Sequence, residues 1–171
     1  AAAPGVKRKL PPPPLLIRLA DADVRDVAAF EGLWAAYLST WGVEQPREET
    51  RAVYAKLTVS GSKQARLFVA WDGPEAVGFV SVLRVPHTFS SRDSMYLEDL
   101  FVVKERRGRG IATALIHFVY DLARAEDLSR VYWHTAWDNP ARSLYEEVGG
   151  VLQNLCMYRV NPPFPSGATS D

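Results

Sequence analysis

Residues 95–123 read MYLEDLFVVKERRGRGIATALIHFVYDLA. An apolar run of strand type meets a cationic loop, and the loop opens directly into a helix-periodic segment. From Gly110 to about Ala125, the residues Ile111, Leu115, Val119 and Leu122 recur at helical spacing and share one face. Lys104, Arg106, Arg107 and Arg109 crowd against the start of that helix, where the peptide dipoles already place positive partial charge. Cations are unfavourable there unless an anion joins them. A strand, a glycine loop and a helix start are also how a fold turns free backbone N–H groups toward an anion. Gly108 and Gly110 permit the tight turn and the close approach that this needs.

Working outward, LLIRLA (15–20) is a short strand, closed by Asp21 and Asp23, which are good helix N-caps. Val24, Val27, Phe30, Leu33, Trp34 and Leu38 then recur at helical intervals, and Pro46 opens a second helix through REETRAVYAKLTV. ARLFVAW and EAVGFVSVLRV are strands joined at DGP, the signature of a hairpin. After the opening stretch come a strand in RVYWHTAW, a helix in NPARSLYEEVGG and a final strand in VLQNLCMYRV. The order β α α β β β α β α β predicts an α/β (α+β) fold, with an antiparallel meander followed by a βαβ unit. Six to seven strands in a mixed, mostly antiparallel sheet, with helices on both faces, are expected.

The chain has 171 residues, enough for one domain with a proper core. Its 20 Lys and Arg balance 20 Asp and Glu, which leaves no general basic footprint for nucleic acid and makes the loop cations a local feature. Cys156 is the single cysteine, so an intrachain disulfide and a cysteine zinc site are both excluded. No apolar run reaches bilayer length, and the first residues lack the apolar core of a secretory signal. Residues 1–13, with their proline run, read as a disordered lead-in, 14–161 as the folded domain and 162–171 as a loose tail. A cytoplasmic location is expected, with KRK (7–9) as the basis of a nuclear alternative.

The anion can be narrowed. GRGIAT lacks the lysine of a Walker nucleotide loop, and a dinucleotide fingerprint fails at Thr113 and at the late position of the loop in the chain. Arg107-Gly108-Arg109-Gly110-Ile111-Ala112 fits R-x-x-G-x-A, and with LEDLFV before it and NPARSLYEEVG after it the chain resembles the GNAT superfamily of N-acetyltransferases. YLEDLFV with RGRGIA is most similar to the spermidine/spermine acetyltransferases. VYWHTAWDNPARSLYEEVG is similar to fungal histone-and-other-protein or D-amino-acid acetyltransferases. The resemblance implies the GNAT fold, acetyl-coenzyme A as co-substrate, no metal, and N-acetyl transfer by direct attack. It implies that the N–H groups of Arg109, Gly110, Ile111 and Ala112, within the segment Arg107 to Ala112, hold the pyrophosphate. It also implies that main-chain groups of Leu100, Phe101 and Val102 pair with the pantetheine arm in a gap beside the strand.

Acetyl transfer to an amine needs a base, because only the neutral amine attacks, and an acid for the departing thiolate. By spacing alone Tyr145 reads as a core tyrosine beside Leu144 and Val148; the resemblance, through A-x-x-L-Y-E-x-x-G, makes it the acid. The family commonly has asparagine seven residues earlier, where this chain has Asp138, so Asn139 is the candidate coenzyme contact. Glu98 and Asp99 interrupt an apolar strand, where carboxylates are costly unless paired or functional. Neighbouring strand residues point to opposite faces, so only a bulge delivers both to one pocket. By resemblance both bind a cationic amine and Glu98 serves as base; a structural salt-bridge role is the alternative. His134 is a second candidate at the acceptor end, and His87 a weaker one. A small primary amine (polyamine, amino acid or amino-bearing xenobiotic) is the expected acceptor. A protein lysine, histone included, is the alternative, and a non-catalytic coenzyme A sensor is the rival of another class. Neither nucleic acid nor membrane is an expected partner; a homodimer is.

Overall fold

The computed structural model describes residues 14–163, and its contacts divide the chain after Asn139 into two units. The first unit opens with β1 (Leu16–Leu19), followed by α1 (Val24–Ser39) and α2 (Arg47–Leu57). Asp23 caps α1 by accepting the Arg25 N–H at 2.7 Å. The fully buried Asp26 is gripped by Arg18 of β1 at 2.5 and 2.7 Å, which fastens that edge strand to the helix. Glu31 of α1 bridges Arg47 and Arg51 of α2 at 2.8 and 2.6 Å.

β2 (Ala65–Asp72), β3 (Glu75–Val85) and β4 (Ser94–Val102) form the meander, and α3 (Ile111–Ala125) leads to β5 (Arg130–Tyr132). The strand order is β1-β2-β3-β4-β5, antiparallel except for the parallel β4–β5 pair that the α3 crossover requires. Alternation along β2 sends Leu67, Val69 and Trp71 into a core shared with Phe30, Leu33 and Trp34 of α1. Phe68 turns to the other face, where its ring meets Phe118 of α3 at 4.9 Å. Helices therefore cover both faces, as expected. Tyr37 closes the first core at one end, 5.7 Å from the rings of both Phe79 and Phe101.

The second unit holds α4 (Arg142–Glu147), which ends in a turn where Gly150 N–H donates to Tyr145 O at 2.8 Å. Two expectations need correction. The described sheet has five strands rather than six to seven, because β5 stops at Tyr132 and VLQNLCMYRV forms no strand. Strand propensity describes side chains, whereas a strand exists only when a neighbouring backbone completes its ladder. Residues 151–160 have no such ladder, and Val151, Leu155 and Tyr158 are exposed. The expected lead-in (1–13) and the tail beyond Pro163 lie outside the described residues.

Candidate active site

One irregularity in the β3–β4 ladder organises the site. Ser81 stands opposite Asp99, while the next residue of β3, Val82, stands opposite Leu97. Glu98 is thus an extra residue on β4, a β-bulge. In a regular strand Leu97 and Asp99 would share a face. Here Asp99 lies on the face of Ser81, Leu97 lies on the face of Val82, and Tyr96, opposite Leu83, returns to the face of Asp99.

Ser81 is completely buried; its hydroxyl donates to Asp99 Oδ2 at 2.6 Å and accepts the Asp99 N–H at 3.1 Å. Tyr37, from α1, faces the same carboxylate, and its ring meets that of Trp41 edge-on at 6.4 Å. Burial, then the charge of Asp99, raises the Tyr37 hydroxyl far above the ordinary phenol range, so Tyr37 is a donor here and not a base. Burial also raises Asp99, against the hydroxyls of Ser81 and then Tyr37, which favour its ionised form. Glu98 is exposed as a residue, yet desolvation, followed by the like charge of Asp99, raises its carboxyl; His134 acts in the opposite sense. The His134 Nδ1 lies 3.1 Å from the Tyr96 hydroxyl, which burial and the charge of Glu98 both raise. Glu98, Asp99 and His134 are therefore brought together, and Tyr37, Tyr96 and Ser81 complete the group.

Beyond β4 the chain makes one 3₁₀ turn, Lys104–Arg106, and reaches Gly108 and Gly110 at φ 71° and 77°. Gly110 is the N-cap of α3; no side chain caps that helix and no acidic residue occupies its first turn. A Cβ at Gly108 or Gly110 would meet nothing within 4 Å, so the space beside both glycines is open. Arg106, one of the cations crowded at the helix start, is already paired within the protein. Its guanidinium bonds Asp72 at 2.7 Å and pairs with Glu75, pinning the loop to the β2–β3 turn. Arg107 Nε donates to Val102 O at 3.0 Å and its guanidinium lies over the Phe101 ring, whereas Arg109 is exposed and makes no ion pair among the described residues.

Between the carboxylates and the loop, β4 offers an edge. Its ladder with β5 ends at Tyr96 opposite Tyr132, while β4 itself continues to Val102. Val103 N–H donates to Val77 O at 3.0 Å, so alternation turns the main-chain groups of Leu100 and Val102 away from β3 and those of Phe101 toward it. An extended ligand can add there as a strand would, at Leu100 and the Val102 N–H, the Val102 carbonyl being engaged by Arg107. A separate open groove of about 580 Å³ lies between α1 and the β2–β3 turn, walled by Trp71, Glu75 and Arg106, and neither carboxylate lines it.

The remaining expected residues are placed as follows. Asn139 Nδ2 donates to Thr135 Oγ1 at 2.6 Å in a turn at the end of the first unit. His87 bonds the Ser129 hydroxyl at 3.0 Å, near the start of β4 and away from the carboxylates. Tyr145 is half-buried on α4 and belongs to the second unit. Tyr96 and Ser81 escaped the sequence reading, and Tyr37 stood out there only as one of an aromatic set with Trp34 and Trp41, read as core or pocket lining. Ser81 left a trace there, as a lone polar residue inside the apolar run GFVSVL.

A seat for an anion and a seat for a cation thus share one strand, with an open backbone edge between them. That is the layout of a transferase joining a phosphorylated donor to an amine. Residues 28–150 match the model of the acetyltransferase (GNAT) family. The chain belongs to that family and is an N-acetyltransferase. Over 126 residues it is 27% identical to the D-amino-acid N-acetyltransferase HPA3 of Saccharomyces cerevisiae, covering 72% of this chain and 78% of that protein. The fold is shared with the ribosomal-protein-alanine N-acetyltransferase of Brucella melitensis biovar Abortus 2308 (TM-score 0.71, 24% identity, 86% of this chain and 99% of that one). It is shared too with the aminoglycoside N-acetyltransferase AAC(6')-Iy in complex with CoA (TM-score 0.73, 18% identity, 86% and 95%).

Proposed function

We propose that this enzyme transfers the acetyl group of acetyl-coenzyme A directly to a primary amine of a small molecule, of the polyamine, amino acid or amino-bearing xenobiotic kind. The bulge carries the proposal: it sets Glu98 and Asp99 in one environment with Tyr96 and His134, which suits an ammonium group. HPA3 is named for D-amino acids, and that name supports a small acceptor.

Bound coenzyme supplies the acetyl group as an activated thioester. The N–H groups of Arg109 to Ala112, with Arg107 and Gly108, hold the pyrophosphate, and the helix dipole and the arginines then act in the same sense. Leu100 and Val102, flanking Phe101, hold the pantetheine arm along the open edge, with Asn139 as a further coenzyme contact. Asp99 binds the acceptor as an ammonium ion, and Glu98 takes its proton directly or through water, with His134 beside it. Tyr145 gives a proton to the departing sulfur; the motif A-x-x-L-Y-E-x-x-G supports that role. Incubation with acetyl-coenzyme A and a mixture of small primary amines and lysine peptides, read by mass spectrometry, tests the proposal. Acetylation of lysine peptides alone would replace the acceptor, and coenzyme binding without any acetylation would make the protein a sensor.

A further inference from the structure

We infer that Ser81 is the positioning residue of the amine seat, its hydroxyl holding the β4 bulge in place and aiming the Asp99 carboxylate. The inference rests on the acceptor site proposed above. Ser81 sits at the position where the register shifts, opposite Asp99 and next to Val82, which faces Leu97. One buried hydroxyl engages Asp99 twice, donating to its carboxylate at 2.6 Å and accepting its N–H at 3.1 Å. That double bond to side chain and main chain leaves the carboxylate little rotamer freedom.

The regular alternative explains why the bulge needs holding. In a regular register continued from Ser81 opposite Asp99, Glu98 would stand opposite Val82. Val82 shares a face with Val80, which pairs with Phe68, and Phe68 packs on Phe118 of α3. A regular register would therefore drive a carboxylate into the apolar layer beneath α3, at a high desolvation cost. The bulge keeps Glu98 out of that layer, and Ser81 supplies the specific contact that stabilises the bulged form. Asp99 also faces Tyr37 from α1 and Glu98 and Tyr96 on its own strand.

The test compares Ser81→Ala and Ser81→Thr with the parent enzyme in three readouts: coenzyme affinity, amine KM and kcat, and the titration of the Asp99 carboxyl followed by carbon-detected NMR. Ser81→Ala is expected to raise the Asp99 pKa further and amine KM roughly tenfold, with coenzyme affinity within about twofold of the parent. Ser81→Thr, which keeps the hydroxyl on a strand-compatible side chain, is expected to restore both. An unchanged Asp99 titration in a folded Ser81→Ala variant overturns the inference, as does an unchanged amine KM. Should Ser81→Thr not fold, the Asp99 titration in Ser81→Ala decides alone. If the parent acetylates no amine, the functional proposal fails instead, and the carboxyl titration still judges Ser81.

Discussion

Val82 faces Leu97 across the β3–β4 ladder, although counting from Gly78 opposite Val102 would set it against Glu98. That one-residue offset gathers the acidic pair, and it fixes a pH dependence. Both carboxyls are raised by desolvation, and in the roles proposed above each acts in its ionised form. The rate therefore falls with acidification through a midpoint above the ordinary 4.5 of a glutamate. A pH profile of kcat/KM is expected to show this limb, and Glu98→Gln to lower the rate by roughly 10²-fold or more.

Stability carries the opposite sign at the same residue. The folded-state pKa of Asp99 is raised, so its contribution to stability is present below the unfolded pKa and is lost as pH rises through the folded value. Above that folded-state value the ionised Asp99 is a liability. Asp99→Asn, still able to accept from Ser81, is expected to raise Tm at pH 7 by roughly 2–4 °C. An unchanged or lower Tm would mean that the bonds to the ionised form outweigh its burial.

Gly78 and Gly110 separate fold from binding. A Cβ at Gly78 would sit 2.6 Å from Phe101 O, so Gly78→Ala must push β3 from β4 and is expected to cost about 1–3 kcal/mol in a denaturant melt. Gly110→Ala meets no neighbour but holds φ 77°, a strain of about 1–2 kcal/mol, and its methyl enters the open space at the start of α3. Calorimetry is expected to show coenzyme affinity reduced at least about tenfold by Gly110→Ala, beyond what its modest destabilisation explains.

Glu31 provides an acid-sensitive staple outside the site. Hydrogen bonds from Arg47 and then Arg51 lower its carboxyl from 4.5 to about 2. Its stabilising effect is present above the ordinary value and is lost as pH falls toward about 2. Between those limits the parent is expected to lose more Tm than Glu31→Gln does.

These contrasts also show where the sequence was readable. Helix α3 declared itself because Ile111, Leu115 and Val119 lie at helical spacing behind Gly110, and all three are buried against the sheet. The loop was legible for the same reason: glycine at a left-handed helix start is a local constraint. Glu98 and Asp99 were conspicuous as carboxylates in an apolar strand. The bulge that unites them was not, because it depends on how many residues of β3 stand across from them. Tyr37 was visible only as part of an aromatic stripe with Trp34 and Trp41, since nothing in helical spacing says that its hydroxyl reaches a strand far along the chain. The segment 151–160 has strand composition and no ladder, a reminder that pairing belongs to two backbones.

The amine seat is tested most directly by steady-state kinetics of Asp99→Asn with the amine varied, beside a calorimetric coenzyme titration of the same variant. The expected result is an amine KM raised at least about tenfold with coenzyme affinity unchanged within about twofold. An unchanged amine KM, or a loss of coenzyme affinity as large as the loss in KM, would contradict the assignment of Asp99 to the acceptor end of the site.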